Sequence, residues 1–334
     1  MDDPMREPQP ERFMVNRREF LGATLGAGAT LALSPELLRA FQQSGGKLIQ
    51  RAIPSTGEML PVISFGPQKT SDDAGMKDIL KALVDNGGRV VDVLHGAGED
   101  IARAAAGELG IQDKFFWTAQ VVGPAPRPPG SPPPPKADAA AVRAQIERKL
   151  AMFKVPKIDL GMVSAYAAAN DPTYLAVLRE MKKEGRVRYI GVHHLALPPN
   201  IPTPPFAELE PVMRDEQIDF AATDYSLGDR RVEEKILPLA QERKIAFMAY
   251  FTFDRGRGLK RVANTPLPEW AAEFDAKTWS QFFLKYVISH PAVIVARTGT
   301  TKAVHMLDNL GGGIGRLPNE AMRKRMAQLV DSLP

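Results

Sequence analysis

The sequence predicts an α/β chain that folds as a (β/α)8 TIM barrel with an N-terminal β-hairpin. Eight short apolar runs of strand length recur at 61–66, 89–93, 115–121, 158–163, 187–192, 218–223, 245–250 and 292–296. Between them lie helical patterns, such as 138–154 with Val142, Ile146 and Leu150 on one face, and 232–243 with Ile236, Leu237 and Leu239. Alternation of this kind, repeated eight times, builds a parallel sheet closed into a barrel with helices outside.

Composition sets the outer bounds. A chain of 334 residues, 44% hydrophobic and 25% charged, is long enough for one large α/β domain. A net charge of +4 with no basic stripe and no interleaved aromatics gives no nucleic-acid footprint. The absence of cysteine excludes disulfides, thiolate metal sites and thiol catalysis. The 29 prolines cluster in a few loops, which marks insertions in a folded chain.

Residues 1–45 read as an export signal and linker, leaving 46–334 for the barrel. Asn16 to Gly22 is N-R-R-E-F-L-G, followed from Phe20 to Leu33 by an uncharged run of Gly, Ala, Leu and Thr. This resembles a twin-arginine signal and implies export to the periplasm by the twin-arginine machinery. A chance Arg-Arg pair before a short helix is the alternative. The apolar run is too short for a stable transmembrane helix. Ala27-Gly28-Ala29 and a point near Ala40 are both compatible with cleavage.

After the signal, 51–59 reads as the hairpin, with Gly57 in its turn. The first barrel strand follows as P-V-I-S-F-G. Two proline-rich stretches, 123–136 and 197–205, each follow a strand, which places them at the carboxyl-end mouth where this architecture builds its sites. The first reads as a stiff surface loop, with a polyproline ligand for a partner as the alternative.

Leu178 to His194 reads L-R-E-M-K-K-E-G-R-V-R-Y-I-G-V-H-H, a lysine-rich helix end, a glycine stop at Gly185 and a buried strand. It resembles the K-E-G-K-I-R-Y-I-G-V-S-N segment of the aldo/keto reductase superfamily, and the resemblance extends over roughly 53–329. It implies NADP(H) as cofactor and a small-molecule carbonyl or sugar-like ligand. It also implies a catalytic tetrad of aspartate, tyrosine, lysine and histidine. Carried over residue by residue, the tetrad positions are Asp92, His95, Gln120 and Ser164, so only the aspartate is retained. A phenol with an ordinary pKa near ~10 is a poor acid without a buried cation, so these losses make ordinary carbonyl reduction doubtful.

The same resemblance assigns cofactor contacts to His193 and His194 at the carboxamide, Tyr225, and Tyr250 against the nicotinamide. Toward the adenosine end it assigns Thr300, Lys302, Asp308 and Asn309. Lys302 is placed for a 2′-phosphate, while the family's arginine is His305 here. The Q-x-x-Y-S-L glutamine is Ala222, and the segment after Tyr250 is F-T-F-D where the family has S-P-L-G.

With no lysine at 120, Asp92 needs another partner, and His95 is the nearest in sequence. The two would form a general acid. A second possibility is a divalent-metal site from Asp92, His95 and one of His193 or His194; no H-x-H or H-x-x-x-H spacing supports it, and histidines filling polar space at the mouth are the plainer account. Tyr166 offers a further phenol near the mouth, while Trp117 and Trp279 read as packing residues. The function that follows is either an exported reductase-like barrel with an altered acid or a barrel that binds a ligand or partner without hydride transfer.

Overall fold

The computed structural model describes residues 46–68, 73–93, 97–127, 130–195 and 206–333. The signal segment, His95 and the second proline-rich stretch lie outside the described residues.

The hairpin pairs β1 (Gln50–Ala52) with β2 (Met59–Pro61), antiparallel, and Gly57 takes φ +77° in the turn. A residue with Cβ is strained there. Eight parallel strands then close a barrel: β3 (Ile63–Phe65), β4 (Val90–Val91), β5 (Phe116–Val121), β6 (Ile158–Ser164), β7 (Val187–His193), β8 (Phe220–Asp224), β9 (Ala246–Tyr250) and β10 (Val293–Thr298). Neighbours run in sequence order, and β10 closes against β3. Every strand falls on the apolar run expected for it, shortened or lengthened by one to three residues at its ends.

Around the barrel lie α1 (Asp73–Asp85), α2 (Ala97–Glu108), α3 (Ala139–Phe153), α4 (Ala165–Asn170), α5 (Thr173–Lys183) and α6 (Leu209–Asp215). Then follow α7 (Ile236–Glu242), α8 (Arg257–Arg261), α9 (Trp279–Ser289), α10 (Ala303–Gly311) and α11 (Glu320–Ser332). Helix α3 shows why the sequence pattern works. Asp138 caps its start by accepting from the Ala140 N–H, Val142, Ile146, Leu150 and Phe153 are buried, and Lys154 ends it at φ +53°. Helix α7 starts later than the periodicity suggests, after a short 3-10 turn over Arg231–Glu233. Pro238 lacks an N–H and its ring opposes the carbonyl four residues back, so the helix cannot run through from 232 and keeps proline in its first turn.

Strand parity divides the core in two. Val90, Phe116, Leu160, Met162, Tyr189, Phe220, Ala222, Ala246, Met248, Tyr250 and Val295 form an inner cluster together with Ile53 and Leu60 of the hairpin. The hairpin thus plugs the amino end of the barrel. Alternate residues such as Phe65, Trp117, Val163, Val192 and Phe247 pack outward under the helices. With one end plugged, the carboxyl ends of the strands are left to form the site. Among the described residues no helix is long and apolar enough to cross a membrane.

Candidate functional site

Asp92 follows β4 directly and is 1% exposed. Thr118 on β5 donates its hydroxyl to Asp92 Oδ1 at 2.6 Å and accepts the Val93 N–H at 2.7 Å. The other carboxylate oxygen meets Arg297 Nε at 2.9 Å. Arg297 sits on β10 and reaches Asp92 across β3, over Gly66, where a Cβ would lie 2.2 Å from the guanidinium carbon. Glycine at 66 is what lets that side chain cross. Asp92 thus has a cation partner from the opposite side of the seam, while the expected pairing with His95 lies outside the described residues.

A phenol joins this pair. Tyr250, at the end of β9, is fully buried; its ring lies 5.5 Å from the Arg297 guanidinium and its hydroxyl 3.7 Å from Met162 Sδ. Burial, and then the Asp92 carboxylate, push its pKa well above the ordinary tyrosine value. That direction makes it a weaker proton donor, the opposite of what a catalytic phenol requires. An acid, a cation and a phenol thus meet in the barrel, but as an enclosed assembly.

The other tetrad positions have different occupations. Gln120, buried on β5, donates its side-chain amide to Nε2 of His193 at the end of β7, spanning β6. Ser164 caps α4, its hydroxyl accepting the Ala167 N–H at 3.1 Å. Ser164, His193 and Ala222 lie side by side in register at the mouth.

The cofactor-assigned residues fall into three places. His193 and His194 are at the mouth; His194 Nδ1 is 3.2 Å from Thr223 Oγ1, its Nε2 is 4.0 Å from Glu208, and burial lowers its pKa against the pull of Glu208. Tyr225 turns outward, its hydroxyl donating to Glu233 at 2.6 Å and accepting from Arg323 at 3.0 Å in the layer between barrel and helices. Thr300 and Lys302 form the turn that opens α10, with the Lys302 N–H donating to Thr300 Oγ1 at 3.1 Å and no side chain capping the helix. Asp308 accepts from Thr278 at 2.9 Å and from Gln281 at 3.0 Å, tying α10 to α9, and Asn309 is buried beside it. Burial raises the Asp308 pKa.

Where the family has S-P-L-G, the loop after β9 holds Phe251, Asp254 and Arg255 at positive φ, and Arg255 reaches back to Asp224 at 2.7 Å. Non-glycine residues in that region carry strain, and here three cluster at the barrel mouth. Tyr166 lies in the first turn of α4, and its carbonyl accepts from Asn170. Trp117 and Trp279 are buried, each donating its indole N–H to a backbone carbonyl, and His290 ends α9. Among the described residues no three His, Cys, Asp or Glu side chains gather as metal ligands.

Sequence reading missed Arg297 and Thr118. The signal for Arg297 was present: a lone charge at inward parity in the otherwise uncharged strand V-I-V-A-R-T.

Comparisons with known proteins agree with this architecture. Residues 63–327 match the family model described as the aldo/keto reductase family. A curated relative, methylglyoxal reductase YeaE of Escherichia coli, is 23% identical over 272 residues, covering 78% of this chain and 88% of its own. Among solved structures, the holo form of aldo-keto reductase AKR11C1 from Bacillus halodurans superposes with a TM-score of 0.64 at 17% identity, covering 85% of this chain and 96% of that one. An aldo-keto reductase from Klebsiella pneumoniae in complex with NADPH gives a TM-score of 0.62 at 17% identity, with 85% and 96% covered. At these identities the structural likeness speaks for the fold, while the family model spans most of the barrel. This chain belongs to the aldo/keto reductase family.

Proposed function

We propose that this chain is an exported, periplasmic aldo/keto reductase-family protein that holds NADP(H) across its barrel mouth and does not carry out carbonyl reduction by the family's tyrosine and lysine. The observation that carries the reading is the Asp92 and Arg297 ion pair. The Asp92 carboxylate is neutralised from β10, position 120 is a glutamine engaged with His193, and Ser164 is a helix cap.

The chain retains features suited to the cofactor. The start of α10 has no side-chain cap, which suits it to a phosphate, and exposed Lys302 stands beside it. His193 and His194 at the mouth would orient the carboxamide. The solved Klebsiella pneumoniae relative in complex with NADPH supports the same assignment. When bound, the cofactor supplies a hydride. The chain's own part is to fix the ring's orientation and present polar groups from the strand ends. His194, whose pKa burial lowers, is available as a hydrogen-bond partner. Tyr250 is committed beside Asp92, so it does not serve as the acid.

Titration of the purified protein with NADPH, read by fluorescence, should show binding below millimolar concentration, while turnover of methylglyoxal stays at background. Turnover at the level of a tyrosine-acid reductase would overturn the altered-catalysis reading. Absence of binding at millimolar NADPH would leave a barrel that binds a ligand or partner without hydride transfer, the reading that full enclosure of Tyr250 favours. Export rests on Arg17 and Arg18 with the apolar run after them. Fractionation of the full chain should find it in the periplasm, and Arg17→Lys with Arg18→Lys should retain it in the cytoplasm.

A further inference from the structure

Arg297 is more than a neutralising partner. Its side chain is 8% exposed, its buried Nε faces Asp92 Oδ2 at 2.9 Å as an ion pair without completing a hydrogen bond, and its terminal amino groups make no hydrogen bond to a described residue. A buried guanidinium carries five N–H donors and is costly to leave undersatisfied. Gly66 keeps the space over the guanidinium clear, since any Cβ there would collide with Cζ and the terminal nitrogen at 2.2 and 2.4 Å. The hairpin residues Ile53 and Leu60 fill the amino end of the barrel, so the side that remains open to Arg297 is the mouth.

We propose that the terminal edge of Arg297 is an anchoring group for a carboxylate, so that the small molecule this barrel takes is a carboxylic acid. Geometry and charge favour this class over a neutral carbonyl compound. The planar edge of a guanidinium matches two carboxylate oxygens, and the pairing is stronger where water is restricted. Asp92, itself held by the Thr118 hydroxyl, faces the guanidinium at Nε, which leaves the terminal edge for a ligand. Gln120 and His193, bridging β5 to β7 at the same end, supply neutral polar groups for the remainder of the molecule. The inference names the ligand of the same site as the proposed function, but it stands or falls without hydride transfer.

The test compares pyruvate with its uncharged amide, pyruvamide, by calorimetric titration of the full folded protein, with NADPH affinity measured on the same samples. Pyruvate should bind at least tenfold more tightly than pyruvamide, and Arg297→Gln should abolish the difference while Arg297→Lys keeps part of it. Because Arg297→Gln leaves Asp92 without its cation and endangers folding, Asp92→Asn is the decisive second variant. It frees the guanidinium from its internal carboxylate, so pyruvate affinity should rise about tenfold with pyruvamide unchanged; a purely structural ion pair predicts no gain. Equal affinity for acid and amide, or no response to Asp92→Asn, overturns the proposal. Loss of carboxylate preference with NADPH binding intact refutes this inference alone, whereas failure of NADPH to bind refutes the cofactor reading and leaves the carboxylate result to be judged separately.

Discussion

The two ends of the barrel both carry polar groups, and they treat them differently. At the amino end, Glu58 of the hairpin accepts from Arg89, from Arg188 at 2.5 Å and from the Tyr189 hydroxyl at 2.7 Å. Asp159 accepts from Arg188 at 2.7 Å and from the Trp117 N–H at 2.8 Å. All four carboxylate oxygens there have donors, and the Glu58 and Arg188 side chains keep 22% and 31% of their exposure. At the carboxyl end, Asp92 and Arg297 are nearly enclosed, Asp92 Oδ2 and Arg297 Nε face each other without completing a hydrogen bond, and the terminal amino groups make none to a described residue. A network whose acceptors are filled by protein closes a fold. One that ends in an open donor is built to meet something else.

The largest effect that would break this contrast comes from Arg297→Met. It strands a buried carboxylate and should cost about 3–5 kcal/mol in urea denaturation, with Asp92→Asn added to it restoring most of the loss. A cost below ~1 kcal/mol would mean that the pair is solvated and the two ends are alike. Next is Gly66→Ala. Its methyl group must displace the guanidinium, for a loss of about 1–3 kcal/mol measured the same way, together with a weaker preference for carboxylate over amide.

Glu58→Gln probes the other end. Burial raises the Glu58 pKa, but the Tyr189 hydroxyl, Arg89 and Arg188 outweigh it and hold the carboxyl below its ordinary 4.5. A depressed folded pKa gives stability that is present above pH 4.5 and lost as pH falls through the folded value. The variant should therefore be roughly 1–2 kcal/mol less stable at neutral pH and show a shallower acid limb, with NADPH affinity unchanged. The smallest change is expected for Ser164→Ala. Loss of the α4 cap should cost about 0.5–1 kcal/mol and leave ligand affinities where they were; a tenfold fall in affinity would return Ser164 to the binding site.

Much of the fold was legible because strands in a closed parallel barrel are buried on both faces, and such runs stand out against amphipathic helices. The eight strand positions, the hairpin turn at Gly57 and the cap and stop of α3 all follow from local residue chemistry. The late start of α7 was also written in the chain, at Pro238, although periodicity alone hid it. The site was harder. Asp92, Gln120 and Ser164 could be located by their strands, but their partners could not: Arg297 lies 205 residues from Asp92 and His193 lies 73 residues from Gln120. Tyr225 and Tyr250 illustrate the same limit. Each follows or ends an inner strand, yet one hydroxyl turns out to Glu233 and Arg323 and the other in toward Met162.

By itself the sequence determined which residues form strands and helices, where the polar exceptions fall among them, and which family pattern the chain follows. Those properties depend on neighbours a few residues away, through side-chain periodicity, caps and turns. Only closure of the barrel decided that the acid just after β4 is answered by a cation on β10 and that a glycine just after β3 gives it passage. A parallel barrel brings its last strand against its first, and pairings across that seam depend on side-chain reach in three dimensions.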